Sequence, residues 1–108
     1  MSFLTKLFGN TAPAGATSTR VDGSGARALV EAGAQLVDVR SPAEFRSGHI
    51  SGAINLPVDR LGTMLSDLDP TGTVVVYCRS GGRSASAARL LLQHGFADVK
   101  DLGPMSAW

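Results

Sequence analysis

The feature that most constrains the fold is an uninterrupted apolar run at residues 73–77, Thr-Val-Val-Val-Tyr. Its β-branched and aromatic side chains favour a β-strand. Because polar residues do not alternate with apolar ones, both faces of this strand must be covered. The run therefore predicts a central strand of a largely parallel sheet that carries helices on both sides.

The rest of the chain supports this α/β class, because its apolar positions switch repeatedly between helical and strand periods. Asp22 is a plausible cap for a helix that stops at Gly33, and the capping box Ser41-Pro42-Ala43-Glu44 predicts a short second helix. Residues 84–94 predict a third helix, and Leu61, Met64, Leu65 and Leu68 share one helical face. Further short strands are predicted over residues 35–39, 53–56 and 97–102.

Size and composition indicate one small domain preceded by a tail. The chain has 108 residues, of which 44% are hydrophobic and 18% charged, enough for a modest core. Residues 9–19 are small turn formers without periodicity, typical of a linker. We expect a flexible tail over residues 1–19 and a domain over residues 20–108. Apolar residues 3, 4, 7 and 8 leave open a helical turn that docks on a surface.

Charge and cysteine content limit the class of partner. The 10 basic and 9 acidic residues are scattered and give a net charge of +1, which favours neither nucleic acid nor an anionic membrane. No apolar run is long enough to span a membrane or to serve as a secretion signal. The single cysteine excludes an internal disulfide and a thiolate-rich metal site. We therefore expect a cytoplasmic protein.

That cysteine, Cys78, directly follows the central strand and begins the loop Cys78-Arg79-Ser80-Gly81-Gly82-Arg83-Ser84. Loops at this end of a parallel sheet commonly bind ligands. The two glycines permit backbone angles that curl successive amides around one point, and the following helix directs its positive end there. The loop therefore predicts an anion-binding nest.

A thiolate in this nest would be stabilised by the amides and the helix terminus, and by Arg79 and Arg83 if their side chains fold inward. Such a thiolate is a nucleophile at neutral pH and needs neither a metal nor an organic cofactor. The alternative is that Cys78 is a buried apolar side chain and that the two arginines are solvated surface residues. The convergence of strand, glycine pair, arginines and helix start favours the nucleophile.

Three motifs in their order and spacing resemble the single-domain rhodanese family. They are the cysteine loop, Leu36-Val37-Asp38-Val39-Arg40 followed by Glu44-Phe45, and the segment from Gly48-His49-Ile50 to Pro57. The resemblance runs from about Arg20 to Trp108.

This resemblance implies a five-stranded parallel sheet flanked by helices. It also implies that Cys78 accepts sulfane sulfur from a donor such as thiosulfate and passes it to cyanide or a thiol. By the same resemblance, Arg79, Ser80, Gly81, Gly82 and Arg83 bind the substrate. Asp38, Arg40 and His49 would be framework residues that tie neighbouring loops together.

Loop length separates this interpretation from a phosphatase. Phosphatases and arsenate reductases of this fold use Cys-x5-Arg around a tetrahedral oxyanion, whereas Arg83 follows Cys78 in a Cys-x4-Arg spacing. The chain departs from the family pattern near its end, where Pro104 replaces the second glycine of Gly-Gly-x-x-x-Trp. Relatives usually continue into a final helix after the position of Trp108, and we expect that helix to be missing here.

Two functions remain from the sequence. The first is a sulfurtransferase that works through a Cys78 persulfide on small sulfur-containing anions and thiols. The second is a non-catalytic binding or carrier module that exchanges persulfide sulfur with a protein donor or acceptor. Turnover of thiosulfate and cyanide would distinguish them.

Overall fold

The computed structural model describes residues 18–108. The tail predicted from the sequence, and the surface-docking turn left open there, fall largely on residues 1–17, which lie outside the described residues. The strands are β1 (Thr19–Arg20), β2 (Gln35–Asp38), β3 (Ile54–Asn55), β4 (Val74–Cys78) and β5 (Val99–Pro104). The α-helices are α1 (Gly23–Glu31), α2 (Pro42–Arg46) and α3 (Gly82–Gln93). Short 3₁₀ turns cover Leu61–Thr63, Leu65–Asp67 and Met105–Ala107.

The five strands form one parallel sheet in the order β1-β5-β4-β2-β3. As the valine run predicts, β4 is the central strand and all five of its residues are buried. The predicted α/β class and five-stranded parallel sheet are confirmed. Parallel strands end at the same edge, so the loops after β2 and β4 come together at the carboxyl edge of the sheet.

Each face of the sheet has its own apolar core. On one face, α3 and the segment around Leu61 and Leu68 cover Val74, Val76 and Cys78. The opposite face carries α1 and α2, whose side chains pack with those of the intervening positions Val75 and Tyr77. Alternate residues of β4 therefore belong to opposite cores, and Cys78 belongs to the core beneath α3.

Helix starts follow the predicted capping chemistry. The Asp22 side chain accepts a hydrogen bond from the N–H of Gly25 at 2.8 Å and caps α1. Ser41 and Glu44 form both halves of the capping box at the start of α2. Local signals therefore fix the loop between β2 and α2, which lies at the carboxyl edge of the sheet.

Two predictions about helices need correction. The helical face over residues 61–68 belongs to two 3₁₀ turns, since no side chain caps the first turn and Gly62 follows directly. Helix α3 begins at Gly82, two residues before the predicted start. Among residues 18–108, no helix has the length and apolar character needed to cross a membrane.

Candidate active site

Cys78 is the last residue of β4, and its side chain is wholly inaccessible to solvent. The chain turns sharply after it, because Gly81 adopts a φ of +111°, in the left-handed region that favours glycine. This conformation directs the Gly81 N–H at Cys78 Sγ over 2.9 Å. Gly82 is the first residue of α3 and has no positive φ, so only one glycine of the pair needs conformational freedom.

The surroundings of the sulfur favour its charged form. Burial alone raises the pKa of the Cys78 thiol, but hydrogen bonds from the Ser84 hydroxyl and from the N–H groups of Ser84, Gly81 and Ser80 outweigh burial. The pKa of Cys78 therefore lies below its ordinary value. Of the predicted amide nest, the Gly81 N–H lies within hydrogen-bond distance of Sγ.

Ser84 is a site residue that sequence reasoning missed. It is fully buried in the first turn of α3, and its hydroxyl lies 3.1 Å from the carbonyl oxygen of Gly81. A serine hydroxyl has one proton, which turns either to that carbonyl or to a thiolate on Cys78. The sequence signal that could have identified Ser84 is its position: it ends the cysteine loop and is the polar residue at the start of an otherwise apolar helix face.

Arg83 does not fold inward onto the sulfur. Its guanidinium donates two hydrogen bonds to Glu44, at 2.7 Å to Oε1 and 3.0 Å to Oε2. The bidentate geometry is the strongest form of arginine–carboxylate pairing. The positive charge of Arg83 is therefore largely balanced by Glu44, and the pair joins the first turn of α3 to α2.

Glu44 has two roles in this arrangement. The same Oε1 that accepts from Arg83 also accepts from the N–H and the hydroxyl of Ser41, both at 3.0 Å. The Arg83 guanidinium and the Ser41 N–H hold the pKa of Glu44 well below its ordinary value. The capping-box motif revealed Glu44, but its partner lies 39 residues away and no local pattern connects them.

Arg79 and Ser80 are exposed. Arg79 lines a cavity of about 510 Å³ at the carboxyl edge of the sheet. We call it the Arg79 cavity, and its lining residues are Arg40, Glu44, Ser47, Arg79, Met105 and Ser106. No ion pair of Arg79 occurs within residues 18–108, so its charge is available to an anion.

A second cavity, of about 250 Å³, lies on the other side of the Glu44–Arg83 pair. We call it the Val58 cavity, and it is lined by Val39, Ser41, Pro57, Val58, Asp59 and Arg83. Glu44 lines the first cavity and Arg83 lines the second, so the ion pair separates the two.

The predicted framework residues contribute unequally. Asp38 accepts hydrogen bonds from Arg40 Nε at 3.0 Å and Nη2 at 2.7 Å, and Arg40 also donates to the carbonyl of Gly48 at 2.7 Å. This buried pair ties the end of β2 to the loop after α2, as predicted. His49 stacks on Phe45 and hydrogen-bonds the Phe45 carbonyl oxygen, and within residues 18–108 it makes no hydrogen bond to another loop.

Metal-binding side chains do not cluster in this region. Over residues 18–108, no group of three or more His, Cys, Asp or Glu side chains is placed to hold a metal ion.

Sequence relatives with assigned activities match most of the chain. A protein of Arabidopsis thaliana named thiosulfate sulfurtransferase 16, chloroplastic, is 41% identical over 93 residues, which cover 74% of this chain and 78% of the relative. The thiosulfate sulfurtransferase GlpE of Pseudomonas aeruginosa is 39% identical, with 85% of this chain and 84% of the relative covered. These names confirm the rhodanese-type transferase predicted from the sequence.

Solved structures agree with the sequence relatives. The rhodanese-like domain of an Anabaena protein superimposes with a TM-score of 0.75 at 27% identity, covering 85% of this chain and 74% of that chain. A human single-domain sulfurtransferase gives a TM-score of 0.68 at 26% identity, covering 87% and 93%.

A family model described as the rhodanese-like domain matches residues 24–108, which include every strand from β2 to β5 and the whole cysteine loop. The resemblance drawn from the three sequence motifs is thereby confirmed, and the chain belongs to the rhodanese-like domain family.

Proposed function

We propose that the protein transfers sulfane sulfur from an anionic donor such as thiosulfate to a thiol or cyanide, through a persulfide on Cys78. The observation that carries the proposal is the 2.9 Å contact between the Gly81 N–H and a sulfur whose pKa is lowered. A donor-rich site that stabilises a thiolate also stabilises the terminal sulfur anion of a persulfide.

In the first half-reaction, the Cys78 thiolate attacks the outer sulfur of thiosulfate. A bond forms between Sγ and that sulfur, and the sulfur–sulfur bond of thiosulfate breaks. Sulfite leaves with the bonding electron pair. No external oxidant is needed, because the donor sulfur already has the oxidation level required.

In the second half-reaction, an acceptor attacks the outer sulfur of the persulfide. The bond to Sγ breaks, and Cys78 leaves as the thiolate that began the cycle. Cyanide yields thiocyanate, and a thiolate yields a new persulfide. The amide nest serves both steps, because negative charge returns to the same place.

The substrate-binding roles follow from position. Arg79 binds the anionic end of the donor in the Arg79 cavity, since its guanidinium is exposed there. The backbone of Ser80, Gly81 and Gly82 surrounds the transferred sulfur. Arg83 lines the Val58 cavity beside the cysteine loop, and its ion pair with Glu44 holds its side chain there.

Intact mass measurement after incubation with thiosulfate tests the proposal. The protein should gain the mass of one sulfur atom, and cyanide should remove it with release of thiocyanate. Cys78→Ser should gain nothing. If the wild-type protein gains no sulfur from any sulfane donor, the proposal is wrong.

The carrier module remains the second candidate. The Cys78 sulfur is completely buried, and a protein donor that opens the loop would give access to it. Steady thiocyanate formation from thiosulfate and cyanide favours the enzyme. Loading of Cys78 only by a persulfidated protein, with no turnover of small donors, favours the carrier.

The cellular setting is part of the proposal. A lone cysteine that works as a thiolate needs a reducing environment, which supports a cytoplasmic location. The partners proposed are small sulfur-containing anions and thiols.

A further inference from the structure

Cys78 is closed off from solvent, yet the layer of chain above it is thin. Its side chain is wholly inaccessible, and it lines neither of the two cavities. In the loop that follows it, Arg79, Ser80 and Gly82 are exposed. On its other sides the sulfur meets the buried core beneath α3. A reagent therefore reaches the sulfur most easily when the loop lifts, because the other routes require the core to unfold.

Helix α3 begins without the capping that holds the other two helices. Asp22 caps α1 and Ser41 caps α2, whereas no side chain caps α3. The N-cap position of α3 is Gly81 and its first residue is Gly82, and glycine is a poor helix former. The first turn of α3, residues 82–84, is therefore the part of this helix that frays most readily.

The Glu44–Arg83 pair holds this uncapped turn in place. Arg83 is the second residue of α3, and its guanidinium donates to Glu44 at 2.7 Å and 3.0 Å. Glu44 is fixed in turn by Ser41 at the start of α2. Within residues 18–108, the side chains of Arg79 and Ser80 form no hydrogen bond or ion pair. The ion pair is thus the side-chain contact that ties this end of α3 to another element.

The groups that cover the sulfur belong to the same segment. The Gly81 N–H lies 2.9 Å from Cys78 Sγ. The Gly81 carbonyl accepts from the Ser84 hydroxyl at 3.1 Å and from the Ala85 N–H at 3.2 Å. Because Gly81 is bonded to the first turn of α3 in this way, fraying of that turn releases Gly81 and uncovers the sulfur.

We propose that Cys78 reacts from a locally open state, in which the first turn of α3 and the loop before it lift from the sulfur, and that the Glu44–Arg83 pair opposes this opening. The inference rests on the proposed function, since it concerns how substrates reach Cys78. Donor and acceptor then use one route, which the same local motion opens. Glu44 is a positioning residue, because it acts through Arg83 and the loop.

Alkylation of Cys78 by iodoacetamide at high pH, where the thiol is fully ionised, measures access separately from ionisation. Glu44→Gln should raise this rate about threefold, because a partly exposed ion pair is lost. Arg83→Gln should raise it by a similar factor. The double variant should react no faster than either single variant, because both changes remove the same contact.

Asp22→Ala is the matched control for these variants. It destabilises the domain by removing the cap of α1 and leaves the contacts of the cysteine loop in place. Its alkylation rate should equal that of the wild type. A rate raised as much as that of Glu44→Gln would show that the sulfur is reached through unfolding of the whole domain, and would overturn the inference.

Gly82→Ala tests the same motion in the opposite direction. Gly82 has no positive φ, and an added Cβ would meet nothing within 4 Å, so alanine fits without strain. Alanine favours the helical first turn and should lower the alkylation rate by about twofold to threefold. N-ethylmaleimide, a bulkier reagent, should be slowed by the same factor. A larger factor for N-ethylmaleimide would indicate direct obstruction by the methyl group and would count against the inference.

Low concentrations of urea separate local opening from unfolding. Fraying of one turn exposes little surface, so the alkylation rate should hardly change with urea below the unfolding transition, whereas unfolding would give a steep rise. A steep rise would overturn the inference.

Persulfide loading of the wild-type protein by thiosulfate is measured separately. If the protein alkylates as described but takes up no sulfur, the proposed function fails and the opening stands. If Glu44→Gln, Arg83→Gln and Gly82→Ala all alkylate at the wild-type rate, the opening is wrong, whatever the result of sulfur loading.

Discussion

Single residues around Cys78 determine how readily the sulfur ionises. Burial of Cys78 opposes its charge, and the donors from Ser80, Gly81 and Ser84 reverse that effect. Three of these donors are backbone amides, which substitution of side chains leaves in place. The Ser84 hydroxyl is the exception, so Ser84 is the residue at which the ionisation of Cys78 can be altered with least change to the loop.

We predict that Ser84→Ala raises the pKa of Cys78, because the thiolate loses one hydrogen bond while its burial remains. The rate of thiolate alkylation by iodoacetamide, measured against pH, should show its midpoint at a higher pH than in the wild type. At neutral pH the variant should alkylate and load sulfur more slowly, since less of the thiol is ionised.

Ser86→Ala is the control for this measurement, because Ser86 is exposed in the same helix. Its midpoint should match that of the wild type. An unchanged midpoint in Ser84→Ala would mean that the backbone amides alone set the pKa of Cys78.

Sequence reasoning identified Cys78 and Gly81 because their requirements are local: a strand end, a left-handed turn and a helix start. It did not identify Ser84 as a donor or Glu44 as the partner of Arg83. Those contacts depend on which way a side chain turns and on how two distant segments meet, and neither is encoded by spacing along the chain.

At the level of elements, two ion pairs join segments at the carboxyl edge of the sheet. The Asp38–Arg40 pair is buried and fixes the end of β2 to the loop after α2. The Glu44–Arg83 pair is partly exposed and fixes α2 to α3. Their different burial leads to different expected effects on stability.

We predict that Asp38→Ala destabilises the protein by about 3 kcal/mol, because Arg40 would remain buried without its carboxylate. The free energy of unfolding in urea at neutral pH gives the value. Asp67→Ala, at an exposed position, should change it by less than about 0.5 kcal/mol. A loss for Asp38→Ala as small as that of the control would contradict the structural role of the pair.

We predict that Glu44→Gln lowers stability at neutral pH, because glutamine can still complete the capping box but carries no charge for Arg83. The pKa of Glu44 is depressed in the folded protein from an ordinary value of 4.5, so its contribution is fully present above that pH and is lost as the pH falls below it. Thermal unfolding of both proteins between pH 7 and pH 3 should show the difference shrinking towards acid.

Glu31→Gln provides the comparison, because Glu31 is exposed at the end of α1. Its difference from the wild type should stay small throughout this pH range. If the Glu44→Gln difference grows towards acid, the carboxylate does not stabilise the fold in the way proposed.

The elements with strong end signals were predicted best. Three signals extend over only a few residues each: the Asp22 cap, the capping box and the valine run of β4. The element that each signal predicts is present in the structure. Residues 61–68 have the apolar spacing of a helix but no cap at the start. Contacts of Leu61 and Leu68 with the sheet core hold that segment instead as two 3₁₀ turns.

For the whole molecule, stability comes from two cores separated by one sheet. Leu91 of α3 is fully buried in the core that contains Cys78. We predict that Leu91→Ala costs about 2–5 kcal/mol of unfolding free energy, through lost burial and the cavity left behind. Urea unfolding followed by tryptophan fluorescence measures the loss, and the exposed Gln93→Ala should change little. A Leu91→Ala cost below about 1 kcal/mol would mean that α3 contributes little to this core.

The α/β class followed from apolar periods alone, whereas strand order did not. Periodicity shows that β4 is covered on both sides, but it does not tell whether β2 or β5 lies beside it. The resemblance in three motifs supplied the five-stranded parallel sheet. The shift in β4–β5 register between Val76 and Tyr77 has no sequence signal that we recognise.

The sheet ends on both sides in strands of only two residues, β1 and β3. Within residues 18–108, these edges offer few unpaired backbone groups to a strand from another molecule, which is the usual route to edge-to-edge aggregation. The strongly apolar β4 is enclosed between β2 and β5. The sequence segment most prone to self-association is thereby placed where intermolecular pairing requires unfolding first.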